Sequence, residues 1–178
     1  MSSLYPPLPV KPILALFGAE TERLNRAAAW WSTLVGPIDY VSPFFAFDQT
    51  TYYQAEMGDL LVKRLVAAEQ LMDPTDLVRI KVETVAYEQT QAMDGKRAVN
   101  LDPGYISAER LVLATGKNAA HRIYLGQGVW GDLTLVFQSG GFLSLPWTYP
   151  DYAGQAFQAS LLDIRQRYLY QLKTKNSS

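Results

Sequence analysis

"DLLVKRLVAAEQLMDPTDLVRIKVETVAYEQT", residues 59–90, changes its apolar period part-way along, and that change decides the fold. DLLVKRLVA (59–67) is an apolar run of strand length. Asp-Pro-Thr-Asp (73–76) follows. Asp73 is a capping residue, Pro74 suits a first helical position, and Asp76 favours the positive end of the helix dipole. Val78, Val82, Val85 and Ala86 then recur at helical spacing. This predicts a helix over about 74–91 with those four side chains on one face. Gly95 breaks the pattern and RAVNL (97–101) resumes a strand.

The same order stands on the N-terminal side. PILALF (12–17) is a buried-strand run, and Leu24, Ala27, Ala28, Trp31, Leu34 and Val35 define a helix over 20–35 ended by Gly36-Pro37. IDYVSPFFAF (38–47) is a β-branched and aromatic strand in which Pro43 requires an edge or a bend. Strand, helix, strand, strand, helix, strand is the split βαβ, or ferredoxin-like, arrangement. Further on, ISAERLVLATG (106–116) suits a short helix capped by Ser107 or a strand. Strands are expected at 122–126, 132–138 and 142–145. In the second of these Leu133, Leu135 and Phe137 would share one face, and Thr134, Val136 and Gln138 the other. Phe157, Leu161, Ile164, Tyr168 and Leu172 mark a terminal amphipathic helix over 153–173. The expectation is a single α+β domain over 1–178: a ferredoxin-like core, a C-terminal β-hairpin extension, and a terminal helix packed on an antiparallel or mixed sheet. Residues 1–10 would form a Pro-rich arm and 174–178 a flexible tail.

Composition narrows the function classes. With 48% apolar and 19% charged residues the chain is globular. A net charge of −1 and scattered Lys and Arg give no basic stripe for nucleic acid. No cysteine is present, which removes disulfides, thiolate metal sites and cysteine nucleophiles. No apolar run has spanning length and the N-terminus lacks signal-peptide features, so a cytoplasmic protein without membrane contact is expected.

Four polar stretches are candidate sites. GQGVWG (126–131) has glycine spacing suggestive of a dinucleotide fingerprint, but strand periodicity follows where a helix is needed; a glycine turn is expected, and neither NAD nor FAD. In FDQTTYYQAEMG (47–58), Asp48 and Glu56 with intervening hydroxyls are candidate ligands for Mg²⁺. VNLDPGY (99–105) offers Asn100 and Asp102, with Asp-Pro-Gly read as a turn ending the strand. TGKNAAHR (115–122) gathers Lys117, Arg122 and the only histidine, His121: two cations and one near-neutral titrating group suited to an anion. LPWTYPDY (145–152) presents Trp147 and Tyr149 as stacking faces, with Pro150 and Asp151 beginning the last helix.

Taken together, FDQTTYYQAEMG, VNLDPGY, LATGKNAAHRIYLG (113–126) and LPWTYPDY resemble the bacterial family catalogued as domain of unknown function 4416, from about Lys11 to Leu172. The resemblance brings no activity with it. It implies that Asp48, Tyr52, Tyr53, Glu56, Asn100, Asp102, Lys117, His121, Arg122, Trp147, Tyr149 and Asp151 are motif positions. The residues support two expectations. In the first, motifs 48–56, 100–104, 117–122 and 147–151 converge to bind a small phosphorylated ligand such as a nucleotide, with phosphoryl or hydrolytic chemistry. His121 is then the acid/base beside Asp102, and Lys117, Arg122, Asn100, Trp147 and Tyr149 contact the ligand. In the second, the chain is a non-catalytic module whose aromatic segment docks a protein or ligand.

Overall fold

Every residue of KPILALFG is buried, because this strand lies in the middle of a sheet covered on both faces. The structure, a computed structural model, describes residues 3–48, 57 and 60–175. In chain order the elements are β1 (Lys11–Gly18), α1 (Thr21–Val35), β2 (Ile38–Val41), β3 (Phe45–Ala46), β4 (Val62–Ala68), α2 (Asp76–Thr90), β5 (Asn100–Ile106), β6 (Arg110–Thr115), β7 (Arg122–Gly126), β8 (Val129–Gln138), β9 (Gly141–Ser144), α3 (Pro150–Ala153) and α4 (Gln155–Lys175). The strands form one sheet in the order β2–β4–β1–β5–β6–β8–β7, with β3 also on β4 and β9 also on β8. Every pairing is antiparallel. This is an α+β architecture.

Strand alternation sorts β1 into two cores. Leu14 and Leu16 pack with Leu24 and Trp31 of α1 and Ile80 of α2. Ile13 and Ala15 pack with Leu161 and Ile164 of α4. Both α1 and α4 bury the stripes that their spacing predicts, apart from half-buried Leu34 and Leu172. Pro43 does interrupt an edge, separating β2 from β3 on the same neighbour. Residues 3–9 are without strand or helix. Among the described residues, no helix is long and apolar enough to cross a membrane.

Several expectations are corrected. Helix α2 buries Leu77, Ile80, Lys81 and Thr84, while Val82 and Val85 are exposed. The cause lies in β5. Pairing with β6 stops at Gly104–Leu113, so the N–H and C=O of Leu101, which point to that side, have no strand partner there. Glu88 Oε1 accepts the Leu101 N–H (2.5 Å) and Lys81 Nζ donates to the Leu101 carbonyl (2.9 Å). The helix therefore turns a polar pair inward.

Asp-Pro-Gly does not end the strand either, since β5 runs on through Ile106. Pro103 directs its missing N–H to the same unladdered side as Leu101, where no bond is lost. Gly104 lies where a Cβ would meet Val112 O at 2.4 Å and Leu113 Cδ2 at 2.7 Å, so it serves close strand approach rather than turning. ISAERLVLATG resolves as a hairpin into β6, with Ser107 N–H bonded to Arg110 O.

In β8 the clean alternation fails. Leu111 faces Leu135 and Val112 faces Leu133, so Thr134 is the extra residue of a bulge. Finally, the last helical region starts at Pro150 and breaks at Gly154, and helix continues to Lys175, so Thr174 and Lys175 are not tail.

Candidate functional site

GQGVWG forms the hairpin between β7 and β8. Gly126 pairs with Val129, and Gln127 (φ 51°) and Gly128 (φ 77°) take the left-handed conformations of a two-residue turn. A register break between Tyr124 and Gly126 then sets Arg122 opposite Asp132; an unbroken ladder would have set it opposite Leu133. The strand is thus shifted by one residue, and its carboxylate meets a cation.

Asp132 is the centre of the site. It is buried, and its Oδ2 accepts from Arg122 Nε (2.8 Å) and lies 3.2 Å from His121 Nε2. Its Oδ1 accepts from Thr134 Oγ1 (3.1 Å). Arg122 also donates from Nη1 to the Lys117 carbonyl (2.9 Å) and from Nη2 to Tyr149 Oη (3.4 Å). Burial lowers the Arg122 pKa, but the bonds to Asp132 and Tyr149 outweigh it, and the net shift is upward. The guanidinium stays charged and keeps two N–H donors beyond these three bonds.

The bulge at Thr134 supports the other wall. Trp147 Nε1 donates to Leu133 O (2.8 Å), and Thr148 Oγ1 donates to Thr134 O (2.6 Å). Trp147 then stacks on His121, ring centroids 4.9 Å apart and planes 11° from parallel. The imidazole is held at one edge by a carboxylate and at one face by an indole.

A second polar cluster occupies the same face of the sheet. Arg97 Nη1 donates to Asn100 Oδ1 (2.5 Å), and Asn100 Nδ2 donates to Asp102 Oδ2 (2.9 Å). Lys63, buried in β4, pairs with Asp151 and lies over the rings of Tyr152 (3.8 Å), Phe157 (5.0 Å) and Phe47 (5.6 Å). Register ties these groups together. Lys63 is opposite Phe17 and Phe17 opposite Asn100; Asp132 is opposite Leu113 and Leu113 opposite Gly104, two residues from Asp102. The 145–152 segment spans this band, reaching β8 through Trp147 and β4 through Asp151.

The expected residues are therefore only partly assembled. His121, Arg122, Trp147, Tyr149 and the Lys117 backbone form one cluster. Asn100 and Asp102 form a neighbouring one. The carboxylate partner of His121 is Asp132, not Asp102 as expected, because the hairpin register and not chain proximity sets the pairing. Asp48 is exposed, and Glu56, Tyr52 and Tyr53 lie outside the described residues. Among the described residues no group of three or more His, Cys, Asp or Glu is placed to hold a metal ion. Sequence reasoning missed Asp132, Lys63 and Arg97. The signal for the first two was a charge inside an otherwise apolar strand, VWGDLTLVF and LLVKRLVAA. Two surface clefts lie elsewhere: one of about 480 Å³ between the end of α1 and the start of α2, and one of about 450 Å³ beside Asp39 and Arg167.

Residues 8–168 match the family described as Domain of unknown function (DUF4416), and the chain belongs to it. No curated protein and no solved structure matches the chain.

Proposed function

We propose that this protein binds a small phosphorylated ligand of about nucleotide size at the His121–Asp132–Arg122 cluster, where His121 serves phosphoryl or hydrolytic chemistry as acid/base. The observation that carries the reading is the buried carboxylate of Asp132 holding both His121 and Arg122. With Nε2 committed to Asp132, the imidazole keeps Nδ1 for a substrate proton. Arg122 keeps two N–H donors beyond its bonds to Asp132, Lys117 O and Tyr149, and charged donors of this kind favour an anion. Trp147 and Tyr149, both partly exposed, supply faces for a base or sugar. Mg²⁺ at Asp48 and Glu56 stays part of the proposal, as does a bacterial cytoplasmic setting. So does the ferredoxin-like core, which the order β2–β4–β1–β5 and the two intervening helices support.

The second reading, a non-catalytic docking module, is favoured by the 55% exposure of Tyr149 and 38% exposure of Trp147. Thermal unfolding with inorganic phosphate, nucleotides and sugar phosphates, with and without Mg²⁺, separates the two. On the first reading at least one phosphorylated compound raises Tm, by about 2.7 kcal/mol of stability at 100 times its Kd. His121→Gln, which keeps a hydrogen bond to Asp132, then weakens that binding at least about tenfold, or 1.4 kcal/mol. No response from any of these compounds, with His121→Gln unfolding several degrees earlier, makes the cluster a structural brace and rejects the first reading.

A further inference from the structure

β7 is the last strand on its side of the sheet; it is short, carries a register break before Gly126 and turns Arg122 inward, yet between these it keeps an exposed apolar edge. The opposite edge is broken at Pro43, where Ser42 turns inward to bond both the N–H and the C=O of Leu65. β7 reads Arg-Ile-Tyr-Leu-Gly, with no proline and no lysine. Ile123, Tyr124 and Leu125 are 72%, 56% and 42% exposed, and Leu143 of β9, on the same flank of β8, is 46% exposed.

We infer that β7 pairs with β7 of a second copy of this chain, antiparallel about a two-fold axis at Tyr124, to give a homodimer with one continuous sheet. The backbone is oriented for it. Arg122 donates its N–H to Ala119 O, away from β8, so the N–H and C=O of Tyr124, two residues on, also face outward. Two copies exchange these groups as a reciprocal pair. The side chains are self-complementary: Ile123 meets the partner's Leu125, and Tyr124 meets the partner's Tyr124. Arg122 lies opposite the partner's Gly126. The one charge on the strand is turned onto Asp132, so the two-fold sets no like charges against each other. A strand of unrelated sequence has no such symmetric match. Pairing covers the flanks of Ile123, Tyr124 and Leu125 on both copies, a small contact of the weak, concentration-dependent kind. The inference does not rest on the ligand reading.

The absence of cysteine makes a direct test available. A hydrogen-bonded antiparallel pair holds its Cα atoms about 5.5 Å apart, within disulfide range. Tyr124→Cys is therefore expected to oxidise to a covalent dimer, whereas Gln89→Cys, exposed on α2, is not. Sedimentation equilibrium is expected to show a dimer for the unaltered chain. Ile123→Lys, at a solvent-exposed position, should raise the dimer Kd at least tenfold with the circular dichroism spectrum unchanged. A monomer at all concentrations up to about 100 µM overturns the inference. So does a dimer that survives Ile123→Lys and does not crosslink through position 124, since it then uses another face.

Discussion

At Glu88 the carboxyl group accepts the Leu101 N–H, while burial pushes its pKa above the ordinary value; Lys81, that N–H and Arg97 pull downward without overcoming it. Between the unfolded value of 4.5 and the higher folded value, the folded chain holds more protons than the unfolded one. The group's contribution to stability is therefore complete below the unfolded value and is lost as pH rises through the folded one. Glu88→Gln keeps an acceptor for Leu101 and removes the titration. Urea unfolding over a pH series should show the variant gaining on the unaltered protein as pH rises across that window, then holding a constant lead. A difference that stays flat with pH would assign Glu88 no such role. None of this was legible from Val78, Val82 and Val85. The apolar pattern indicated a helix but not which face it buries, since the unladdered backbone of Leu101 decides that.

Among the elements, the β5–β6 seam is the least tolerant of added volume. Gly104→Ala places a methyl carbon against the Val112 carbonyl, which cannot swing aside as a side chain can. A loss of about 3 kcal/mol in unfolding free energy is expected from denaturant titration. A loss below about 0.5 kcal/mol would show that the strands can part at little cost. Most elements were legible because each carries its own signal: the unbroken apolar run of β1, the helical stripe of α1, the prolines at 43 and 150. The two register breaks beside β8 were not, because a bulge is a decision between strands. Those breaks set Arg122 against Asp132 and open the Leu133 and Thr134 carbonyls to Trp147 and Thr148. The residue types of the site could thus be picked out from the sequence, but not the partner of His121.

The whole molecule is fastened at Lys11, whose fully buried ammonium reaches Asp39 of β2 (2.8 Å), the Ala68 carbonyl of β4 (2.8 Å) and Gln171 of α4 (3.0 Å). Burial pushes its pKa down even with Asp39 beside it. Lys11→Ala leaves Asp39 without its cation and is expected to cost about 3 kcal/mol or more, whereas the double change Lys11→Met with Asp39→Leu should recover most of that loss in the same denaturant assay. Equal losses in the single and double variants would show that packing, and not the ion pair, is what matters there. This clasp also joins the start of the first strand to a turn of the last helix, and the same separation governs the order of burial during synthesis. Ile13, Ala15, Leu65 and Leu135 share an apolar face whose cover is Phe157, Leu161 and Ile164. At ordinary rates of translation about 5 to 20 seconds separate the emergence of β4 from that of α4. Throughout that interval a growing chain presents a greasy, uncovered flank to everything near the ribosome, and only its final helix takes that flank out of reach.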